Sequence, residues 1–194
     1  MSCTIFEIGK EIGSKMIVLK MTPEELLGSY LQGKRDFRGI KLIQSPFDVE
    51  GNEIDLRGLC LRDINFSGAY LKKADFTETD LSGANLLGSV LEQACFRRAI
   101  VRDANLYSAN LRWCDLTEAD LRGSVLDHIN ATCAYFDRAI NIGAMEYAIL
   151  ADASFQDAHI PDQLICRGGN LIWRTVMPDG TIKLGPQYGD GEGR

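Results

Sequence analysis

Leucines recur every five residues through "ANLYSANLRWCDLTEADLRG", at Leu106, Leu111, Leu116 and Leu121, with Ala104, Ala109, Cys114 and Ala119 two places before them. A helix advances about 100° per residue, so residues five apart land about 140° apart and share no face. In a continuous strand they point to opposite sides. Burying all of them together requires the chain to turn once per repeat, a short extended piece followed by a bend. Counting by fives from Leu56 gives large centres at Leu61, Phe66, Leu71, Phe76, Leu81, Leu86, Leu91, Phe96 and Val101, and the count continues to Leu126, Ala131 and Phe136. The residue two before each centre is small over most of the run, as at Ala69, Ala74, Thr79, Ala84, Ser89 and Ser124. Between the two stands a mostly polar residue, such as Asp55, Asn65, Asp75, Asp80, Asn85, Asn105, Asn110, Asp115 or Asp120, which should face outward. Glycine two places after the centre, at Gly58, Gly68, Gly83, Gly88 and Gly123, suits a bend. A fixed short period sustained in this way means a solenoid.

The motif A-(D/N)-L-x-x stands here as "ADFTE", "ANLLG", "ANLYS", "ANLRW" and "ADLRG". It resembles the pentapeptide-repeat family, and "TPEELLGSYLQGKRDF" and "WRTVMPDG" extend the resemblance to cyanobacterial members. The resemblance implies an all-β fold, a right-handed quadrilateral parallel β-helix with four repeats per turn. Residues twenty apart should then stack. Leu56, Phe76, Phe96, Leu116 and Phe136 fall in one inner column, which gathers three of the four phenylalanine centres between residues 56 and 136. Glu78, Arg98, Glu118 and Arg138 would alternate in sign up one outer column.

Around this solenoid the chain divides into an N-terminal segment (1–20), a capping helix (21–33), the repeat region (34–165) and a hairpin-like tail (166–194) whose end should be disordered. Thr22, Pro23 and Glu25 read as a capping box with proline in the first turn, and Met21 and Leu26 as a hydrophobic staple. Leu26, Leu27, Tyr30 and Leu31 would cover the first coil, and Gly33 ends the helix. Repeats begin weakly at Phe37, Leu42 and Phe47. The nine-residue step from Phe47 to Leu56 places a loop or bulge near Gly51. Asn141 and Glu146 fall on centre positions, so a frame slip of one is expected, with centres resuming at Leu150, Phe155 and Ile160. The Pro-Asp-Gly turn should form a hairpin and lay Trp173 over the last coil.

Chemistry is sparse. The start of the chain has only short apolar runs broken by charge, so neither a signal peptide nor a membrane span is expected, and the cytoplasm is the expected compartment. The six cysteines form no metal-binding spacing and read as free thiols. His128 and His159 have no nucleophile at a motif spacing, and no phosphate loop is present. No catalytic residue, metal or cofactor is expected, and the chain reads as non-enzymatic. Some members of the family imitate B-form DNA and bind DNA gyrase, an alternative that needs a strongly acidic rod. Residues 54–143 carry twelve acidic and ten basic side chains, a net of only −2 within a chain of −6, which speaks against it and against nucleic-acid binding.

The remaining class is a rigid scaffold for protein–protein interaction. A relative that resembles this chain regulates heterocyst differentiation, which makes a regulatory scaffold the family-level expectation. Stacking by twenties places Tyr70 beside Val90 and Leu87 beside Tyr107 near one corner, an outward apolar patch suited to a protein partner of unknown identity or to a homodimer. Trp113 is a second candidate on the next side.

Overall fold

A computed structural model describes residues 18–43, 54–143 and 145–188. Parallel bridges join residues twenty apart on each of four sides. Side one stacks Asn65, Asn85, Asn105 and Val125; side two stacks Tyr70, Val90, Asn110 and Asn130. Side three stacks Asp75, Cys95, Asp115 and Tyr135; side four stacks Cys60, Asp80, Ile100, Asp120 and Ile140. The chain is therefore a parallel β-helix of five-residue repeats, four to a coil.

The repeat's residue types explain each corner. The centre's carbonyl accepts from the N–H three residues on, as from Ala109 to Leu106 at 2.9 Å. The third residue of that turn takes a positive φ, the mark of a type II turn. Glycine supplies it at five corners, with φ of 61–73° from Gly58 to Gly123, but Lys73, Gln93, Trp113 and Cys133 adopt 58–61° without that freedom. The outward Asp or Asn does more than decorate the surface. Its Oδ1 accepts the N–H two residues on, from Thr77 to Asp75 at 2.9 Å, Tyr107 to Asn105 at 3.0 Å and Thr117 to Asp115 at 2.9 Å. The D/N of the motif thus fastens the turn that follows it.

Inside, centres and small residues are buried throughout, Leu59 excepted, which is half-buried. The expected phenylalanine column forms. Phe76 stacks on Phe96 with centroids 4.8 Å apart, and Phe136 on Phe155 at 4.8 Å. Small inward residues that carry a polar atom donate it to a backbone carbonyl, Thr79 to Leu56 at 2.6 Å, Ser89 to Leu86 at 2.7 Å and Cys114 to Leu91 at 2.9 Å, which satisfies these buried groups. Burial also pushes the Cys114 thiol well above its ordinary range. The described cysteines are free; Cys3 lies outside the described residues.

The register departs from twenty in three places. Asp36 pairs with Asn65 and Lys41 with Tyr70, while β3 (Ile54–Asp55) pairs with β4 (Ala74–Asp75). Since Tyr70 and Asp75 lie on consecutive sides, so do Lys41 and Asp55. One side-step therefore absorbs nine extra residues between Leu42 and Leu56. The spacing had suggested a small irregularity after a centre at Phe47; both Phe47 and Gly51 lie outside the described residues. The expected slip of one appears where Asn130 pairs with Ile149 and Tyr135 with Ser154. Asn141 and Glu146 are accordingly exposed, and Ile142 and Met145 are buried instead. A third coil runs 22 residues, from Ile149 to Leu171 and from Ser154 to Val176.

At the start, β1 (Lys20–Met21) pairs in parallel with β2 (Lys41–Leu42). The helix α1 (Pro23–Leu31) carries the full capping box on Thr22 and Glu25. Leu26 and Tyr30 join the common core and the Tyr30 hydroxyl donates to the Arg62 carbonyl at 2.9 Å. Leu31, expected on the apolar face, is 75% exposed. At the other end, parallel stacking continues past residue 165, through α2 (Asp162–Ile165), β5 (Leu171–Ile172) and β6 (Thr175–Val176). The hairpin is present: β6 pairs antiparallel with β7 (Ile182–Lys183), and β8 (Gln187–Tyr188) pairs with β5. Trp173 does not cover the last coil; it points outward, and Ile172 and Met177 are buried there. The tail after Tyr188 lies outside the described residues.

Candidate interaction surface

Sides three and four carry ion pairs among residues that also include the exposed Tyr135 and Ile140. Arg57 pairs with Asp55 and Asp75, Arg62 with Asp80 and Arg97 with Asp115. The outer column expected to form a ladder closes in twos, Arg98 on Glu78 at 2.7 Å and Arg138 on Glu118 at 2.9 Å. Such exposed pairs add little stability individually. Asp120 differs, because it is buried and accepts from Arg102 Nε at 2.7 Å and from the Arg122 backbone and guanidinium. Burial pushes its carboxyl up, but these hydrogen bonds outweigh it and hold the group below the ordinary carboxylate range. A depressed folded value contributes stability above about pH 4 that is lost as pH falls through it. Asp120→Asn should therefore cost about 1–2 kcal/mol at pH 7, with the gap to wild type closing in acid. Urea midpoints measured across pH 2–7 check this; a gap unchanged at pH 2 would contradict it.

The corner between sides one and two is different. Leu87 and Tyr107 stack there as expected, with Gly88 donating to the Tyr107 carbonyl at 2.9 Å. Tyr70 bridges to Val90 on side two beside them. The structure thus brings together Tyr70, Leu87, Val90 and Tyr107, all exposed except the half-buried Val90. Trp113 stands apart on the corner between sides two and three, its ring under the Arg112 guanidinium at 4.3 Å.

The patch continues up the corner beyond Tyr107. His128 lies 4.9 Å from Tyr107 and 5.0 Å from Tyr147, the latter stacked at 19°. Tyr147 rests against Gly169, where an added Cβ would come within 2.7 Å of its ring. Leu87, Tyr107, His128 and Tyr147 form one exposed column, with Ile149 on the adjoining side two. His128 and Tyr147 hold φ of 58° and 53°, a left-handed conformation that costs a bulky residue about 1–2 kcal/mol. At Tyr70 and Val90 the turn-fastening Asp or Asn is also given up. The signal was present in the sequence: His128 and Tyr147 are nineteen apart, the interval of the slipped coil.

A family model described as pentapeptide repeats matches eight copies over residues 52–88, 84–123 and 104–140. The chain belongs to the pentapeptide-repeat family. Solved members of the family to which it is similar include one from the Arabidopsis thaliana thylakoid lumen, at 30% identity over 56% of this chain and 75% of that one, TM-score 0.32. Another is Rfr23 from the cyanobacterium Cyanothece 51142, at 23% identity over 62% and 88%, TM-score 0.42. HetL from Nostoc, described as involved in heterocyst differentiation regulation, is 22% identical over 84% of this chain and all of that one, TM-score 0.25. No curated protein matches. Among the described residues no helix is long and apolar enough to cross a membrane, and no group of three or more His, Cys, Asp or Glu is placed to hold a metal ion.

Proposed function

We propose that this pentapeptide-repeat chain is a non-catalytic, rigid scaffold that binds a protein partner through the corner column Leu87, Tyr107, His128 and Tyr147 and the adjoining Tyr70, Val90 and Ile149. In this reading the rod is a right-handed quadrilateral β-helix, closed at its N-terminal end by α1. The observation that carries the reading is the run of exposed side chains in contact up one corner, with the rings of Tyr107, His128 and Tyr147 at centroid distances of 4.9 and 5.0 Å. Regular stacking makes such a column rigid before binding, which reduces the ordering cost on association. The ion-paired sides three and four argue against imitation of a uniformly anionic duplex.

Leu87→Asp and Tyr107→Asp test it. Both side chains point to solvent, so circular dichroism and Tm should stay close to wild type. Affinity purification from the native cell with mass spectrometry should lose its partner in both variants. Capture of the same partner at wild-type yield would exclude this corner.

A further inference from the structure

We propose that the partner segment seated on this column is basic and extended, with arginine or lysine side chains paired to Asp127 and Glu146 beside the exposed rings of Tyr107 and Tyr147. This deepens the scaffold reading and rests on it. Three observations support it. Asp127 and Glu146 flank the rings within the same corner, with Ser108 donating to the Asp127 carbonyl and His128 to the Glu146 carbonyl. Neither carboxylate has a lysine or arginine partner among the described residues, whereas Asp55, Asp75, Glu78, Asp80, Asp115, Glu118 and Asp120 on and beside sides three and four do, with Asp63, Asp103 and Asp137 among the exceptions there. The second is ring exposure: Tyr107 and Tyr147 are 39% and 60% exposed beside these carboxylates, and an aromatic ring attracts a nearby cation more strongly once water is displaced. Within the protein, Arg112 already lies over Trp113 in this way. The third is size. Leu87 to Tyr147 spans three coil steps, about 14 Å, which matches roughly four residues of extended chain. The site is thus a short acidic and aromatic strip, complementary to a cationic strand and repulsive to an acidic one.

The test is an anisotropy titration with two fluorescein-labelled heptapeptides, Gly-Arg-Val-Arg-Val-Arg-Gly and its counterpart with glutamate for arginine. The arginine peptide should bind, more weakly as salt rises, and the glutamate peptide should not. Asp127→Asn with Glu146→Gln should weaken binding about tenfold or more. The fold is protected in that variant, because the Glu146 N–H donates to Asp127 Oδ1 at 2.9 Å and the Asp127→Asn amide keeps an oxygen in that place. Tyr107→Ala with Tyr147→Ala should weaken it comparably. Glu24→Gln with Asp157→Asn changes net charge equally at remote exposed positions and should leave binding intact. Equal losses in that control, equal binding of both peptides, or sedimentation showing a dimer that Tyr107→Ala abolishes would each overturn the proposal. If purification yields a partner that depends on Leu87 and Tyr107 while the arginine peptide fails to bind, the scaffold reading stands and the basic occupant falls.

Discussion

Replacing Phe96 with alanine should cost about 3–5 kcal/mol of stability, toward the upper end of what a buried aromatic truncation produces. Phe96 is fully buried in the middle of the column Leu56, Phe76, Phe96, Leu116, Phe136 and Phe155, and stacks on Phe76 at 16°. A cavity closes when neighbours can move into it. Here they cannot, because each coil is held to the next by backbone hydrogen bonds on every side, such as Phe96 to Asp115 at 2.6 Å and Cys95 to Ala74 at 3.0 Å. The lesion also falls mid-stack in an array whose units contact only their neighbours. It should therefore weaken coupling between the two halves as well as lower the midpoint. Urea denaturation followed by circular dichroism should show a lower midpoint and a broadened transition. A loss under about 1 kcal/mol would mean that the coils can collapse, contrary to the packing described.

The second large effect is expected at Asn170, a fully buried side chain outside the repeats. Its Oδ1 accepts from the Ala148 N–H at 2.8 Å. Its Nδ2 donates to the carbonyls of Met145 at 2.9 Å, Leu164 at 3.3 Å and Ile165 at 3.1 Å. One amide thus ties α2 and the 22-residue coil to the coil beneath, where the repeat's own corner bonds are interrupted. Asn170→Ala leaves these backbone groups unpaired away from water, at about 2–4 kcal/mol together. The loss should be local. Hydrogen exchange should accelerate at the amides of Leu171 and Val176, which donate to Ala148 and Ala153, while Leu111 and Leu116 keep their protection. Uniform acceleration along the whole rod would show instead that the end is not an independent unit.

Much of this architecture was legible because its cause is local. Large and small residues alternate within five positions, so the inward set from Ile54 to Phe136 could be read without knowing what stacks on what. The helix α1 was equally legible, since Thr22, Pro23 and Glu25 act within one turn. Other features were visible as letters but not as chemistry. Asn105 and Asp115 read as surface residues, yet they fasten the turns after them. The candidate surface was half legible. Tyr70, Val90, Leu87 and Tyr107 follow from a period of twenty, but counting by twenties from Tyr107 meets Asp127 and misses the ring contact of His128 with Tyr147. Asn170 belongs to no period, so nothing in its neighbourhood marked it.

Which side of the chain faces inward is decided by side-chain volume and polarity over five residues, information that a linear reading contains. Which residues meet across coils depends on intervals of 29, 20, 19 and 22 residues. Each departure reflects where extra or missing residues are absorbed, between Leu42 and Leu56, before Ile149 and before Leu171. A corner can absorb them because it faces solvent, whereas a side must keep its ladder of hydrogen bonds. Surface neighbours, and with them the aromatic column and its unpaired carboxylates, are consequently set by the stacking of the folded coils.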